Sequence, residues 1–131
     1  MRRFFTKNVL IVIACLSSVH LMGQTINTLT VNSPAGIAGD YLAVRAQFGN
    51  QSNDPLTGNA TFVNDGTAKP TEGCSAATNN ITGLITFIDR GTCQFGAKAL
   101  NAQNKGAVVA IICNNAANAT QAPFPMVPGD F

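Results

Sequence analysis

Histidine and cysteine are two residue types whose chemistry often supports catalysis or metal binding. The single histidine, His20, lies in an apolar N-terminal stretch, so the chain from Gln24 onward contains none. That segment lacks the side chains for a Ser-His-Asp triad, a Cys-His pair or a His-ligated zinc site. The motifs GxGxxG, GxxxxGK[ST], HExxH and CxxC are also absent from the sequence. We expect no catalytic residue, no metal and no cofactor in this segment.

Three of the four cysteines, Cys74, Cys93 and Cys113, follow the N-terminal stretch. In an exported protein the surroundings are oxidising and allow a disulfide, with free cysteines as the alternative. Cys113 ends the apolar run Ala107–Cys113 and has no metal-ligand or redox motif beside it. This setting favours the interpretation of Cys113 as a small, buried hydrophobic residue.

The N-terminus has the layout of a secretory signal. Met1–Asn8 carries three positive charges, and Val9–Met22 is largely apolar but too short to span a bilayer comfortably. The pattern predicts a signal peptide over residues 1–23, a mature domain over residues 24–131, and no membrane span. The alternative is a lipoprotein, because the residues that end at Cys15 resemble a bacterial lipobox. Either interpretation places the protein outside the cell or on its surface.

The charge of the mature segment argues against two classes of partner. From Gln24 onward there are five basic side chains and six acidic ones, which gives a net charge of about −1. A surface of this kind offers no electrostatic footprint for nucleic acid or for anionic lipid. The low charged fraction, 11%, together with many Asn, Thr, Ala and Gly residues, suits a β-rich extracellular domain.

Short strands and turns are predicted in the first half of the mature segment. Strand-like runs alternate with clusters of Pro, Gly, Asn and Asp. These runs are Thr28–Asn32, Tyr41–Ala46 and Ala60–Val63. Asn64-Asp65-Gly66 is a turn signal after the third run, and Asn53-Asp54 lies in another polar turn. Both offer oxygen ligands for calcium, but without EF-hand spacing the turn interpretation is favoured.

The second half predicts a βαβ unit at about residues 84–113. Leu84–Asp89 is rich in β-branched and aromatic residues, as strands are, and Phe95–Lys105 has helical spacing. Ala107–Cys113 is continuously apolar, which predicts a strand buried on both faces and parallel to the first. The predicted apolar face of the helix consists of Phe95, Ala99, Ala102 and Leu100, with Lys98, Gln103 and Lys105 in solvent and Gly106 as the stop signal.

The residues around this unit resemble the protease-associated (PA) domain. The similar stretch is Gly83-Leu-Ile-Thr-Phe-Ile-Asp-Arg-Gly-Thr-Cys-Gln-Phe95, followed by Lys98, Asn101-Ala102, Gly106-Ala107 and Asn114-Asn115. The resemblance implies a β-rich α/β fold, the swivelling β/β/α domain, and a disulfide between Cys74 and Cys93. It marks Arg90, Gly91, Phe95, Lys98 and Asn101 as motif residues with a possible part in partner binding. It also implies a secreted bacterial protein whose closing strands lie beyond Phe131.

The resemblance further implies an accessory role without catalysis. The expected partner is a protein or peptide, which includes a catalytic domain in the same chain, and the expected task is control of substrate access in a peptidase. The alternative is the front part of a secreted hydrolase whose active site lies beyond Phe131. Arg90 has two interpretations: a carboxylate-binding group that grips a partner peptide, or a turn arginine satisfied by nearby carboxylates or carbonyls. Phe95 and Leu100 suggest either a groove or, as favoured here, helix-on-sheet packing.

Overall fold

The structure is a computed structural model that describes residues 26–130. The predicted signal peptide over residues 1–23, its cleavage site and the lipid attachment site at Cys15 lie outside the described residues. The elements, in chain order, are β1 (Ile26–Val31), β2 (Gly39–Val44), β3 (Ala60–Phe62), β4 (Ile85–Asp89), α1 (Phe95–Asn104), β5 (Val109–Cys113) and a short 3₁₀ helix (Ala116–Asn118).

The first two strands form an antiparallel hairpin. Residue pairs run from Ile26 opposite Val44 to Val31 opposite Gly39. Both strands were predicted, but each starts two residues earlier than the sequence pattern suggests, and they end one and two residues earlier, because pairing across the hairpin sets the register. The hydroxyl of Thr30 donates to the carboxylate of its partner Asp40 at 2.6 Å and links the strands within this register.

A three-stranded parallel sheet with the order β3-β4-β5 forms the second unit. The predicted βαβ arrangement is confirmed: β4 and β5 are parallel neighbours, with Ile85 opposite Val109 and Asp89 opposite Cys113, and α1 connects them. The predicted fold class, a strand-rich α/β domain, is confirmed as well.

The core lies on the α1 side of this sheet. It consists of Val63, Ala77, Ile81, Ile88 and Ala102, with Ala107, Ala110 and Ile112 packed against it. Along β4, burial alternates: Thr86 and Ile88 are fully buried, while the other three residues of the strand are half-buried.

The burial predicted for β5 on both faces is wrong. All five of its residues are only half-buried. The physical reason is that β5 is an edge strand of the three-stranded sheet, so one of its sides has no neighbouring strand. The face opposite α1 is also incompletely covered, and the Phe62 side chain there is 50% exposed. The continuous apolar run therefore belongs here to an edge strand and not to a strand buried on both faces.

The burial of two helix side chains also differs from the prediction. Lys98 was expected in solvent but is fully buried, and Leu100 was expected on the packed face but is 40% exposed. Residues four apart share a helix face, so the buried Lys98 lies with the buried Ala102, while Leu100 lies about 200° away from Lys98. Gly106 ends the helix as predicted, with a φ of +86°.

Two further observations complete the fold. The turn at Asn64-Asp65-Gly66 is present: Gly66 has a φ of +73° and its N–H donates to the Asn64 side chain at 2.9 Å. Within residues 26–130, no helix is long and apolar enough to cross a membrane.

Candidate functional site

The segment Glu72-Gly73-Cys74, called here the 72–74 loop, is where three of the five motif residues lie close together. A disulfide joins Cys74 to Cys93, with an S–S distance of 2.16 Å and a Cα–Cα distance of 5.7 Å. Cys93 lies between β4 and α1, so the bridge attaches the loop directly to the start of the helix. The disulfide that the family resemblance implied is therefore present.

Two side chains on α1 hold the backbone of the same loop. The Lys98 ammonium donates to the carbonyl oxygen of Glu72 at 2.5 Å and lies 3.7 Å from the Cys74 Sγ. Asn101 donates from its side-chain amide to the carbonyl oxygen of Gly73 at 3.1 Å. Residues three apart lie on one helix face, which lets both side chains reach the same loop. This contact explains why Lys98 is buried rather than solvated.

The side chain of Glu72 forms hydrogen bonds from the loop to the segment before α1. Its carboxylate accepts from the Thr92 N–H at 2.8 Å and from the Thr92 hydroxyl at 2.9 Å. It also forms an ion pair with Lys69 at 3.3 Å. A Cβ added at Gly91 would overlap this carboxylate. Gly91 is therefore required by the close approach of Glu72.

Asp65 holds the far side of the loop. Its carboxylate accepts from the N–H groups of Cys74 at 2.8 Å and Ser75 at 3.3 Å, and from the Thr67 N–H and hydroxyl. These carboxylate oxygens are thus engaged by donors, which fits the turn interpretation of this segment. Within residues 26–130, no group of three or more His, Cys, Asp and Glu side chains is placed to hold a metal ion.

The pKa values of the three buried charges follow from these contacts. Hydrogen bonds from Thr92 lower the pKa of Glu72 below its usual value, against the opposing effect of burial. Burial raises the pKa of Asp65, but the hydrogen bonds from Thr67, Ser75 and Cys74 outweigh it and leave the pKa lowered. Burial lowers the pKa of Lys98, and the nearby carboxylates partly offset that effect.

Sequence reasoning missed the part played by Glu72 and saw in Asp65 only a turn residue. The signal for Asp65 was present, because Asp followed by Thr two residues later is typical of a side-chain-stabilised turn. Glu72 had no such local signal, since its partners Gly91 and Thr92 lie about twenty residues away in the sequence.

Arg90 lies on a different part of the surface. Its Nη1 donates to the side-chain oxygens of Gln121 at 2.7 Å and Asn114 at 3.3 Å. The guanidinium carbon lies 5.2 Å from the centre of the Phe124 ring, which in turn meets Phe95 edge-on at 6.1 Å. We call these five residues the Arg90 surface. The structure thus brings two predicted motif residues, Arg90 and Phe95, together on this surface. The other three, Gly91, Lys98 and Asn101, lie at the 72–74 loop.

The C-terminal segment completes the Arg90 surface. The N–H of Gly96 donates to the Pro128 carbonyl at 2.8 Å, which fixes this segment over the first turn of α1. Phe95 is half-buried beneath Phe124, so its contacts include this segment as well as the helix. The packing expected for Phe95 is therefore only part of its role.

Cys113 is a free, half-buried cysteine at the end of β5. It is less buried than the sequence pattern predicted. Burial and the neighbouring Asp89 charge both raise the pKa of its thiol. The thiolate, which is the reactive form, is therefore disfavoured at neutral pH.

Comparison with known proteins finds similar segments in proteins that are much longer than this chain. The chain is 40% identical to the human ER degradation-enhancing alpha-mannosidase-like protein 3 over 67 residues, which are 48% of this chain and 7% of that protein. It is 37% identical to the Xenopus laevis protein of the same name over 89 residues, 65% of this chain and 10% of that one. It is 33% identical to Signal peptide peptidase-like 2 of Arabidopsis thaliana over 76 residues, 58% and 14% of the two chains.

These matches cover 7–14% of the relatives' own length. The relatives come from eukaryotes, so they lend no support to the bacterial origin expected from the resemblance. The expectation of closing strands beyond Phe131 gains no support from them either. The family model of the PA domain matches residues 42–130, which is more than half of the chain and includes the whole βαβ unit, the 72–74 loop and the Arg90 surface. The chain belongs to the PA domain family.

Proposed function

We propose that this chain is a non-catalytic, protein-binding module of a secreted or surface protein, in which it controls access of substrates to a peptidase. A PA domain is an accessory domain without catalytic residues, and domains of this family mediate protein interactions. The observation that carries the proposal is that the buried ionisable groups are engaged in structural contacts. Asp65, Glu72 and Lys98 are engaged in holding the 72–74 loop.

Hydrolysis near neutral pH requires a positioned base, a metal-bound water or an activated nucleophile. Cys74 and Cys93 are joined in the disulfide, and the raised pKa of Cys113 disfavours its thiolate. The segment from Gln24 onward has no histidine to act as a base or a ligand. These observations support binding rather than turnover.

The proposed location is the secretory pathway or the cell surface. The disulfide fits an oxidising compartment. One set of relatives is named for the ER, which agrees with a secreted or luminal protein. Residues 1–23 are proposed as the signal peptide, with a lipid anchor on Cys15 as the alternative. N-terminal sequencing of the exported protein separates the two, because it reads either Gln24 or an acylated Cys15.

A second candidate is that the chain is the front part of a secreted hydrolase, with the active site beyond Phe131. It is favoured by the length of the relatives, of which one is named as mannosidase-like and another as peptidase-like. The bacterial parent protein and the closing strands beyond Phe131, which the family resemblance implied for either candidate, stay proposals. The sequence encoded downstream of Phe131 decides it, through the presence or absence of a catalytic motif.

The test of the proposed function uses the purified chain, first checked for cooperative unfolding. We expect no turnover of peptide, ester or glycoside substrates above background. In the natural full-length protein, deletion of residues 42–130 should change the KM for a protein substrate and leave kcat for a small chromogenic substrate unchanged. Turnover by the folded chain that one substitution of its own side chains abolishes would overturn the proposal.

A further inference from the structure

The guanidinium of Arg90 is fixed in place by uncharged partners. Two side-chain amide oxygens accept from its Nη1, and its guanidinium carbon lies over the Phe124 ring, 5.2 Å from the ring centre. Arginine is suited to bidentate recognition of carboxylates, and a guanidinium already held in place loses less conformational entropy when it binds. The arrangement therefore pre-organises the Arg90 guanidinium to bind an anion.

No anion of the described chain meets this group. Within residues 26–130, the ion pair between Lys69 and Glu72 is the only one, so no carboxylate lies within pairing distance of Arg90. The adjacent Asp89 accepts instead from the Thr71 hydroxyl at 2.6 Å. An arginine that served only to stabilise a turn would gain more from a carboxylate than from two amides.

An apolar surface lies beside the cation. The Phe124 ring is 37% exposed, and Val127 in the same segment is 55% exposed. Aromatic residues and arginine are enriched at the energetic centres of protein interfaces. A ligand for this surface needs a negative group for Arg90 and an apolar group for Phe124.

The backbone around Arg90 favours an acidic side chain over a chain terminus. A terminal carboxylate is commonly captured by a nest of backbone N–H groups. Here the N–H of Arg90 donates to the Cys113 carbonyl at 2.7 Å, and that of Thr92 donates to Glu72 at 2.8 Å. We propose that the Arg90 surface binds an Asp or Glu side chain next to an apolar residue in an internal segment of a partner protein.

This inference rests on the proposed function, because it names the ligand chemistry of the protein-binding module. The probe is a short peptide with both ends blocked, in which Phe precedes Asp in an Ala-Gly context. The matched control peptide carries Asn in place of Asp. Titration into the isotope-labelled chain, followed by NMR, should shift the amide signals of Arg90, Asn114, Gln121 and Phe124. The Asn peptide should bind about tenfold more weakly, as expected for loss of a charge-assisted pair.

Matched variants make the test specific. Arg90→Gln should abolish the preference for Asp over Asn, whereas Arg45→Gln should keep it. Arg45 is a suitable control because it is also half-buried and donates to a neutral oxygen, the Gln51 carbonyl, at 3.1 Å. Phe124→Leu keeps the charge and removes the aromatic ring, and it should weaken the binding of both peptides while it preserves the preference. This variant keeps the test decisive if Arg90→Gln fails to fold.

Equal binding of the Asp and Asn peptides to the unaltered chain would overturn the inference. So would a preference that survives in Arg90→Gln, or shifts that map to the hairpin or the 72–74 loop. These outcomes leave the proposed function standing, because its test measures turnover by the chain and substrate access in the full-length protein.

Discussion

At the scale of single residues, buried Lys98 shows how this family motif stabilises a fold. Burial of an ammonium group is costly unless the group finds a hydrogen-bond partner and nearby negative charge. Lys98 has the Glu72 carbonyl as acceptor, and the charges of Glu72, Asp65 and Asp89 favour its protonated form. The side chain thus connects the helix to a loop that has no regular secondary structure of its own.

We expect Lys98→Met to lower the free energy of unfolding by about 2–3 kcal/mol, because it removes a charge-assisted hydrogen bond and leaves the Glu72 carbonyl unsatisfied. Chemical denaturation measures the change. Lys105→Met, at an exposed position just after the same helix, is the matched control and should change the stability by less than about 0.5 kcal/mol. Similar losses in the two variants would contradict the structural role of Lys98.

Gly91→Ala tests the close approach of Glu72. The added Cβ would overlap the carboxylate, and we expect a loss of about 1–3 kcal/mol in the free energy of unfolding. Gly36→Ala is the control, since an added Cβ there has no atom within 4 Å. In a double-mutant cycle, Gly91→Ala should cost less when Glu72 is already replaced by Ala. Additive effects of the two substitutions would rule out this contact as the reason for glycine.

At the scale of elements, the disulfide and the motif side chains do the same task. The 72–74 loop joins the polar segment after β3 to the start of α1 through Cys93, Lys98 and Asn101. The βαβ unit thereby gains a covered helix end that neither the strands nor the helix could supply alone.

Replacement of both Cys74 and Cys93 by Ala should cost about 2–4 kcal/mol of stability, because the bridge limits the conformations of the unfolded chain. Non-reducing peptide mapping should find these two cysteines linked and Cys113 free. The variant Cys113→Ala is the control and should leave the linkage intact. A link from Cys113 to either of the other cysteines would contradict the structure.

At the scale of the whole molecule, the buried carboxylates make stability depend on pH. The pKa values of Asp65 and Glu72 lie below their ordinary values of 3.8 and 4.5. A carboxyl group whose pKa is lower in the folded chain stabilises the fold above its ordinary pKa. That contribution is lost as the pH falls through the folded-state value.

We therefore expect the free energy of unfolding to decrease as the pH falls below about 4.5, the ordinary pKa of Glu72. The Glu72→Gln variant should be less stable than the unaltered chain at pH 7 and should lose less stability on acidification. Denaturation curves between pH 3 and pH 7 provide the measurement. An acid dependence that is identical in the two proteins would show that Glu72 is not responsible.

The sequence by itself determined the order of the local elements. β-branched residues in Leu84–Asp89, helical spacing from Phe95 and a glycine stop at Gly106 predict a strand, a helix and a second strand, and all three are present. These patterns are readable because period and turn chemistry act between residues close in sequence. The resemblance to the PA domain added the disulfide pairing, which spacing alone left open.

Only the tertiary structure decided which side chains meet across long sequence separations. Lys98 is buried because Glu72, 26 positions away in the sequence, offers it a carbonyl. Arg90 lies over the Phe124 ring because the C-terminal segment crosses the start of α1. β5 is half-buried because it lies at the edge of its sheet. Local spacing reports the shape of an element, but burial and hydrogen bonding depend on what the rest of the chain places opposite it.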